Sequence, residues 1–101
     1  MSLTNQQIRY LRGLTHKLNP VVTVADKGLT ENVMAEIEGA LEHHELIKIK
    51  LRSDRETRTK LAQEISKMSG AEMVHSIGQV ACFFRRNPKK PVVEIPGSPR
   101  A

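Results

Sequence analysis

The chain has one cysteine, no tryptophan and three aromatic residues, Tyr10, Phe83 and Phe84. A single thiol excludes an internal disulfide framework, and Cys82 lies in an apolar run where a buried, reduced thiol is expected. Three aromatics are too few for the stacking platforms that hold unstacked bases. No apolar run approaches the length of a secretory h-region or a membrane span, so a cytoplasmic protein is expected, with neither secretion nor membrane insertion. Catalytic signatures are missing as well: there is no G-x-S-x-G, Walker or Rossmann fingerprint. His43-His44-Glu45 lacks the HExxH spacing, and adjacent helical histidines point about 100° apart. A non-catalytic chain without metal or cofactor is expected.

What the chain does have is positive charge, and it is segregated. Sixteen Lys and Arg against eleven Asp and Glu give a formal charge of +5 and a pI near 9.7, which favours an acidic partner. Residues 31–45 hold five glutamates and no Lys or Arg, whereas residues 46–60 hold six basic residues against two acidic ones. A further four basic residues, Arg9, Arg12, Lys17 and Lys27, precede the acidic block. At 101 residues the chain is one domain, long enough to bury roughly two thirds of its unfolded surface.

Local signals divide that domain into seven elements. Thr4-Asn5-Gln6-Gln7 fits a capping box and Leu3 with Ile8 a hydrophobic staple, which predicts a helix from residue 5. Ile8, Leu11, Leu14 and Leu18 recur at helical spacing, while Arg9, Arg12 and His16 line a different face. Asn19-Pro20 ends this helix, because proline disfavours the α conformation in the residue before it. Val21 to Val24 then read as a short, buried strand. After a loop, Thr30 caps a second helix with Val33, Met34, Ile37, Ala40 and Leu41 inward and Glu36, Glu38 and Glu42 outward. Glu45 to Arg52 alternates, with Ile47, Ile49 and Leu51 on one face and Lys48, Lys50 and Arg52 on the other. Ser53-Asp54-Arg55-Glu56 reads as a second capping box, opening a helix that buries Leu61, Ala62, Ile65 and Met68 and stops at Gly70. Glu72 to Ile77 and Val80 to Arg85, separated by Gly78-Gln79, predict an antiparallel hairpin.

The order α-β-α-β-α-β-β implies a single α/β domain with a four-stranded mixed sheet, its second and third helices on one face. This domain is expected over residues 1–86. Residues 87–101, with four of the five prolines and the pair Lys89 and Lys90, are expected to form an extended, partly mobile basic tail.

The junction of the first strand and second helix is the foremost candidate site. Amide groups at a helix start lack partners and carry partial positive charge, so Lys27 and Gly28 ahead of Thr30 favour an anion that approaches closely. A plain tight turn with an exposed lysine is the simpler alternative. Arg9, Arg12, His16 and Lys17 are either a cationic binding stripe or the solvated side of an amphipathic helix. Gly13, beside that stripe, either admits a ligand closely or marks tight helix packing. Lys48, Lys50 and Arg52 either line an open, binding sheet face or keep it soluble. Arg55, Arg58, Arg85, Arg86, Lys89 and Lys90 are peripheral candidates.

Four stretches together carry a family resemblance: Leu14-Thr15-His16-Lys17-Leu18-Asn19-Pro20-Val21-Val22, Lys27-Gly28-Leu29-Thr30-Glu31, His44-Glu45-Leu46-Ile47-Lys48-Ile49-Lys50, and Ile77-Gly78 followed by Phe84-Arg85. They resemble the CRM domain, the chloroplast RNA splicing and ribosome maturation module, and in particular its free-standing bacterial YhbY family. The resemblance covers residues 3–86. It implies a fold similar to the C-terminal domain of translation initiation factor three and a role in binding RNA. In the family the strand-to-helix loop is a GxxG element comparable with the backbone clamp of KH domains. Here the loop is Ala25-Asp26-Lys27-Gly28, with alanine in place of the first glycine. Alanine at positive φ would cost roughly 1–2 kcal/mol, so Ala25 is expected in an ordinary β or αR conformation.

The implied partner is structured RNA, in particular ribosomal RNA of large-subunit precursors, bound by a monomer during ribosome assembly. The resemblance places the contact at the Lys27-Gly28 loop; with the basic candidates read from charge, the expected contacts are Arg9, Arg12, His16, Lys17, Lys27, Gly28, Thr30, Lys48, Lys50, Arg55, Arg85 and Arg86. Two other readings stay open: an adaptor docking a basic ribosomal protein through Glu36, Glu38 and Glu42, and a nonspecific DNA binder.

Overall fold

Thr4 starts the first helix as its neighbours dictate. Its hydroxyl accepts the Gln7 N–H at 3.1 Å, and the Gln7 side chain accepts the Thr4 N–H at 3.0 Å. Helix α1 (Asn5–Thr15) therefore begins at residue 5, and Leu3, Ile8, Leu11, Leu14 and Leu18 pack together beneath it. It ends well before Asn19-Pro20. Buried Thr15 donates its hydroxyl to the Arg12 carbonyl at 2.6 Å, while Lys17 and Leu18 donate to Leu14 and Thr15. These i→i−3 bonds tighten and close the helix, leaving Lys17 and Leu18 beyond it. The computed structural model describes residues 3–95; Met1, Ser2 and residues 96–101, the last part of the expected tail, lie outside the described residues.

Helix α2 (Glu31–His44) is capped by Thr30, whose hydroxyl accepts the Val33 N–H at 3.1 Å. Helix α3 (Arg55–Ser69) is capped by Asp54 and not by Ser53, so the expected Ser53–Glu56 box does not form and a simple Asp cap takes its place. The Asp54 carboxylate accepts from Thr57 at 2.8 Å, and that bond holds its carboxyl below the ordinary range. Ser53 is spent on the turn, its carbonyl accepting from the Arg58 guanidinium at 2.7 Å. Met68 does not face inward: it is 61% exposed, and Ser69 is buried in its place. The inward ridge runs Leu61, Ile65, Ser69 at i+4 spacing, and Ser69 satisfies its hydroxyl on the Ile65 carbonyl. Gly70 then ends the helix at φ +74°, a conformation that suits glycine.

Strands β1 (Pro20–Val24), β2 (Leu46–Leu51), β3 (Glu72–Ile77) and β4 (Val80–Phe84) form one sheet in the order β1-β2-β4-β3. β1 and β2 are parallel, as the intervening helix requires, and the other two pairings are antiparallel. Helices α2 and α3 share one face, where Ile37, Leu41, Leu61 and Ile65 pack on Val22, Val24, Ile47, Ile49, Leu51 and Phe83. Helix α1 covers the other face, with Leu11 against Leu46, Val74, Cys82, Phe84 and Ile95. It lies mainly over β2 and β3. The edge strand β1 is therefore buried on one side only: Val22 and Val24 are in the core, but Val21 is 49% exposed and Thr23 is open. This corrects the expectation of a buried first strand.

The turn from α2 into β2 contains Glu45, the one non-glycine residue with positive φ (+61°) among the described residues. Its carboxylate is fully buried and accepts the N–H groups of Asn87, Val92 and Val93 at 2.6, 2.6 and 2.7 Å, and the Arg86 guanidinium at 3.0 Å. Burial pushes this carboxyl up, but the three backbone donors and the Arg86 charge outweigh it and leave it below the ordinary value. Residues 87–93 thus curl around one carboxylate, and Val93 and Ile95 join the core under α1.

Candidate nucleic-acid interface

The alternation of β2 that buries Ile47, Ile49 and Leu51 necessarily turns Lys48 and Lys50 to the α1 side of the sheet. Across the register Lys48 lies opposite Cys82 and Cys82 opposite His75, while Lys50 lies between Thr23 and Val80. Helix α1 ends over the first of these rows. His16 meets His75 edge to face, with ring centroids 6.2 Å apart and planes at 61°. Thr15 reaches the buried Cys82 thiol, which burial pushes above its ordinary value. Burial, and after it the charges of Arg12, His16 and Lys48, hold His75 below its ordinary value of 6.5. Arg12, His16 and Lys48, all expected at the site, are therefore brought together with His75. Among the described residues, none of the four forms an ion pair with a carboxylate.

His75 was not among the expected site residues, and a strict period of two does not show it. A bulge between Met73 and His75 inserts one extra residue in β3. Consecutive residues Val74 and His75 can then both address α1, the first in its core and the second against His16. The only sequence signal was a histidine placed in a hairpin strand beside apolar neighbours.

At the next edge of the sheet three connections meet. The Arg52 N–H donates to the Val24 carbonyl at 2.8 Å, and the Leu51 N–H to Gln79 at 2.6 Å. The β1–α2 loop, the β2–α3 turn and the hairpin tip thereby lie side by side. Within the loop the Gly28 N–H donates to Ala25 at 2.9 Å, and Thr30 donates to Gly28 at 3.1 Å. Gly28 sits at φ +69°, where a Cβ would meet no atom within 4 Å, so conformation and not space calls for glycine. Ala25 is not at positive φ, in line with its expected ordinary conformation. The Thr30 hydroxyl is occupied as the helix cap, and Lys27 is exposed at the tip. The amides of Glu31 and Asn32, in the first helical turn, have no intrahelical acceptor.

Other expected residues are placed elsewhere. Arg9 is exposed on α1 and Lys17 just past its end. Gly13 is exposed, and a Cβ there would meet nothing within 4 Å, which rules out tight helix packing as its reason. Arg55 and Arg58 line a groove of about 910 Å³ between α3 and the β3–β4 hairpin, on the side away from α1. Arg85 bridges α2 and α3, donating to Glu38 at 2.6 Å, Glu42 at 3.3 Å and the Ser69 carbonyl at 2.8 Å. Arg86 holds Glu45 and lies over the Phe84 ring at 5.4 Å. Both arginines sit at the opposite end of the sheet from the Lys27-Gly28 loop. The buried carboxylate Glu45, which organises that end, was not among the expected site residues.

The family model of the CRS1/YhbY (CRM) domain matches residues 3–85, nearly all of the chain that these elements occupy. The chain belongs to the CRS1/YhbY (CRM) domain family. Among relatives, a Pseudomonas aeruginosa protein named "Probable RNA-binding protein" is 46% identical over 90 residues, 88% of this chain and 86% of the relative. A Bacillus subtilis protein of the same description, YqeI, is 32% identical over 95 residues, 93% of this chain and 99% of the relative. The solution structure of a hypothetical Staphylococcus aureus protein, described as a candidate RNA binding protein, superposes with a TM-score of 0.81 at 31% identity. That superposition covers 94% of this CRM-family chain and 100% of the other. Among the described residues no helix is long and apolar enough to cross a membrane, and no group of three or more His, Cys, Asp or Glu is arranged to hold a metal.

Proposed function

We propose that this chain is a non-catalytic RNA-binding protein of the cytoplasm, acting as a monomer on the backbone of structured ribosomal RNA in large-subunit precursors. The observation that carries the reading is the gathering of Arg12 and His16, at the end of α1, with Lys48 of the sheet, without ion-pairing carboxylates among the described residues. Two kinds of support adjoin it: the Lys27-Gly28 loop with the start of α2, and relatives named as RNA-binding proteins.

Recognition is of phosphate and shape. Phe83 and Phe84 are buried, so they offer no surface on which bases could stack. Lys27 supplies charge, and Gly28 with the free amides of the first α2 turn lets a phosphate oxygen come close to the backbone. Lys48 and Lys50 extend the positive surface from that edge toward Arg12, with Arg9 and Lys17 flanking it. If about four to six phosphates are neutralised, log affinity falls with log salt at a slope of roughly −3 to −5. The adaptor reading is weaker, because Glu38 and Glu42 already hold Arg85.

The test is simultaneous reversal of Arg9→Glu, Arg12→Glu and Lys27→Glu, with circular dichroism to verify folding. Affinity for large-subunit ribosomal RNA fragments collapses on this reading, and duplex DNA competes poorly. Retained RNA affinity in the folded triple variant overturns the site. A basic ribosomal protein that still binds the variant, with RNA binding absent from the wild type, establishes the adaptor.

A further inference from the structure

We propose that Arg12, His16, Lys48 and His75 form a seat for one phosphate group, and that its two histidines make occupancy rise as pH falls. This rests on the RNA-binding reading for its natural ligand, a backbone phosphodiester, but the seat itself is a property of these four side chains.

The geometry comes from three elements. Arg12 on α1 and His16 at its C-cap stand one turn apart, Lys48 projects from β2, and the β3 bulge turns His75 toward them. The two rings lie 6.2 Å apart at 61°. Charged N–H donors bond phosphate oxygens at about 2.7–2.9 Å, so imidazoles at this spacing can reach different oxygens of one tetrahedral group. Arginine adds a planar fork and lysine a compact point charge, the pair of cations usual at phosphate sites.

Among the described residues, no carboxylate shares the row of Lys48, Cys82 and His75. Facing His75 are Arg12 and His16 from α1, Lys48 from β2 and the Cys82 thiol from β4, with Lys50 one row away. Burial keeps that thiol neutral. The one carboxylate of β3, Glu72, lies on the same face one row to the other side, opposite Phe84, and is engaged there in accepting the Leu3 N–H at 3.3 Å. Burial first, and then the repulsion of Arg12, His16 and Lys48, disfavour charge on His75 in the free seat. A bound phosphate reverses the sign of the local potential and favours the imidazolium of both histidines, so binding takes up protons. Neighbouring His43 and His44 on α2 lie across the sheet and serve as internal references.

The decisive experiment is an NMR pH titration of the four histidines in the full chain, with and without inorganic phosphate at constant ionic strength. The His75 midpoint rises by about half a pH unit or more with phosphate, His16 follows in the same direction, and His43 and His44 stay put. Equal movement of all four, or none, overturns the seat. In parallel, fluorescence anisotropy with a ribosomal RNA fragment gives affinity roughly three- to tenfold higher at pH 6 than at pH 8. His75→Gln, checked by circular dichroism, shrinks that ratio; an unchanged ratio overturns the role of His75. If phosphate moves His75 but RNA does not bind, the seat stands and the RNA reading falls. If RNA binds and the Arg9, Arg12 and Lys27 reversals abolish it while His75 ignores phosphate, the RNA reading stands and the seat falls.

Discussion

Replacing Glu45 with glutamine removes one charge and leaves the shape of the side chain nearly unchanged. The buried carboxylate accepts three backbone N–H groups and the Arg86 guanidinium. A glutamine offers one acceptor oxygen, and its amide group then faces either the Asn87 N–H or those of Val92 and Val93, whichever oxygen it replaces. Hydrogen bonds to a charged group contribute about 1.5–3 kcal/mol each, and removing one member of a buried pair costs about 3–5 kcal/mol. These figures overlap, and Arg86, with 31% of its side chain exposed, recovers part of its hydration. A loss of about 3 kcal/mol follows, which for a domain of this size lowers Tm on the order of 12–20 °C.

Urea unfolding followed by circular dichroism measures that loss, and hydrogen exchange locates it at the amides of Asn87, Val92 and Val93. The backbone adds a second comparison. Because Glu45 has φ +61°, Glu45→Gly is less damaging than Glu45→Ala by about 1 kcal/mol. The pH dependence has a definite sign: a depressed carboxyl contributes stability above its unfolded value, and that contribution is lost as pH falls through the folded value. The glutamine variant lacks this part of the acid slope. A shift under about 1 kcal/mol with protection at residues 87–93 intact refutes the assignment of Glu45 as the anchor.

Three further outcomes are expected. Gly28→Ala, at φ +69°, costs about 1–2 kcal/mol locally and weakens RNA binding, whereas unchanged affinity and stability would show that the loop tolerates another shape. Leu11→Ala removes the fully buried centre of the α1 core and destabilises by about 2–5 kcal/mol in chemical denaturation. His75 has a depressed folded pKa, so its contribution is complete above pH 6.5 and is lost as pH falls through the folded value; His75→Gln flattens that part of a stability–pH curve measured without phosphate.

Features encoded within a few residues were legible in the sequence. Thr4 and Gln7 close their box within one turn, Gly70 and Gly78 take the positive φ their places demand, and strict alternation puts Lys48 and Lys50 on one face. The misreadings arose where a competing partner lay close in sequence. Thr15 and the i→i−3 bonds end α1 before Pro20, and Asp54 displaces Ser53 as a cap because Ser53 is drawn into the preceding turn. What stayed hidden depends on distant partners. Nothing near Glu45 announces that residues 87–93 return to it, and nothing near His75 announces a bulge that aims it at His16. Arg85 and Arg86 looked like any basic pair, yet their partners, Glu38, Glu42 and Glu45, lie some forty residues away.

The most direct test of a phosphate-led RNA site is the salt dependence of binding to a ribosomal RNA fragment, measured for the wild type and for Arg12→Gln/Lys48→Gln. The wild type should show a slope of log affinity against log salt of roughly −3 to −5, and loss of two phosphate contacts should make it shallower by about 1.4–1.8. Salt-independent binding, or a double variant with the wild-type slope, would contradict it.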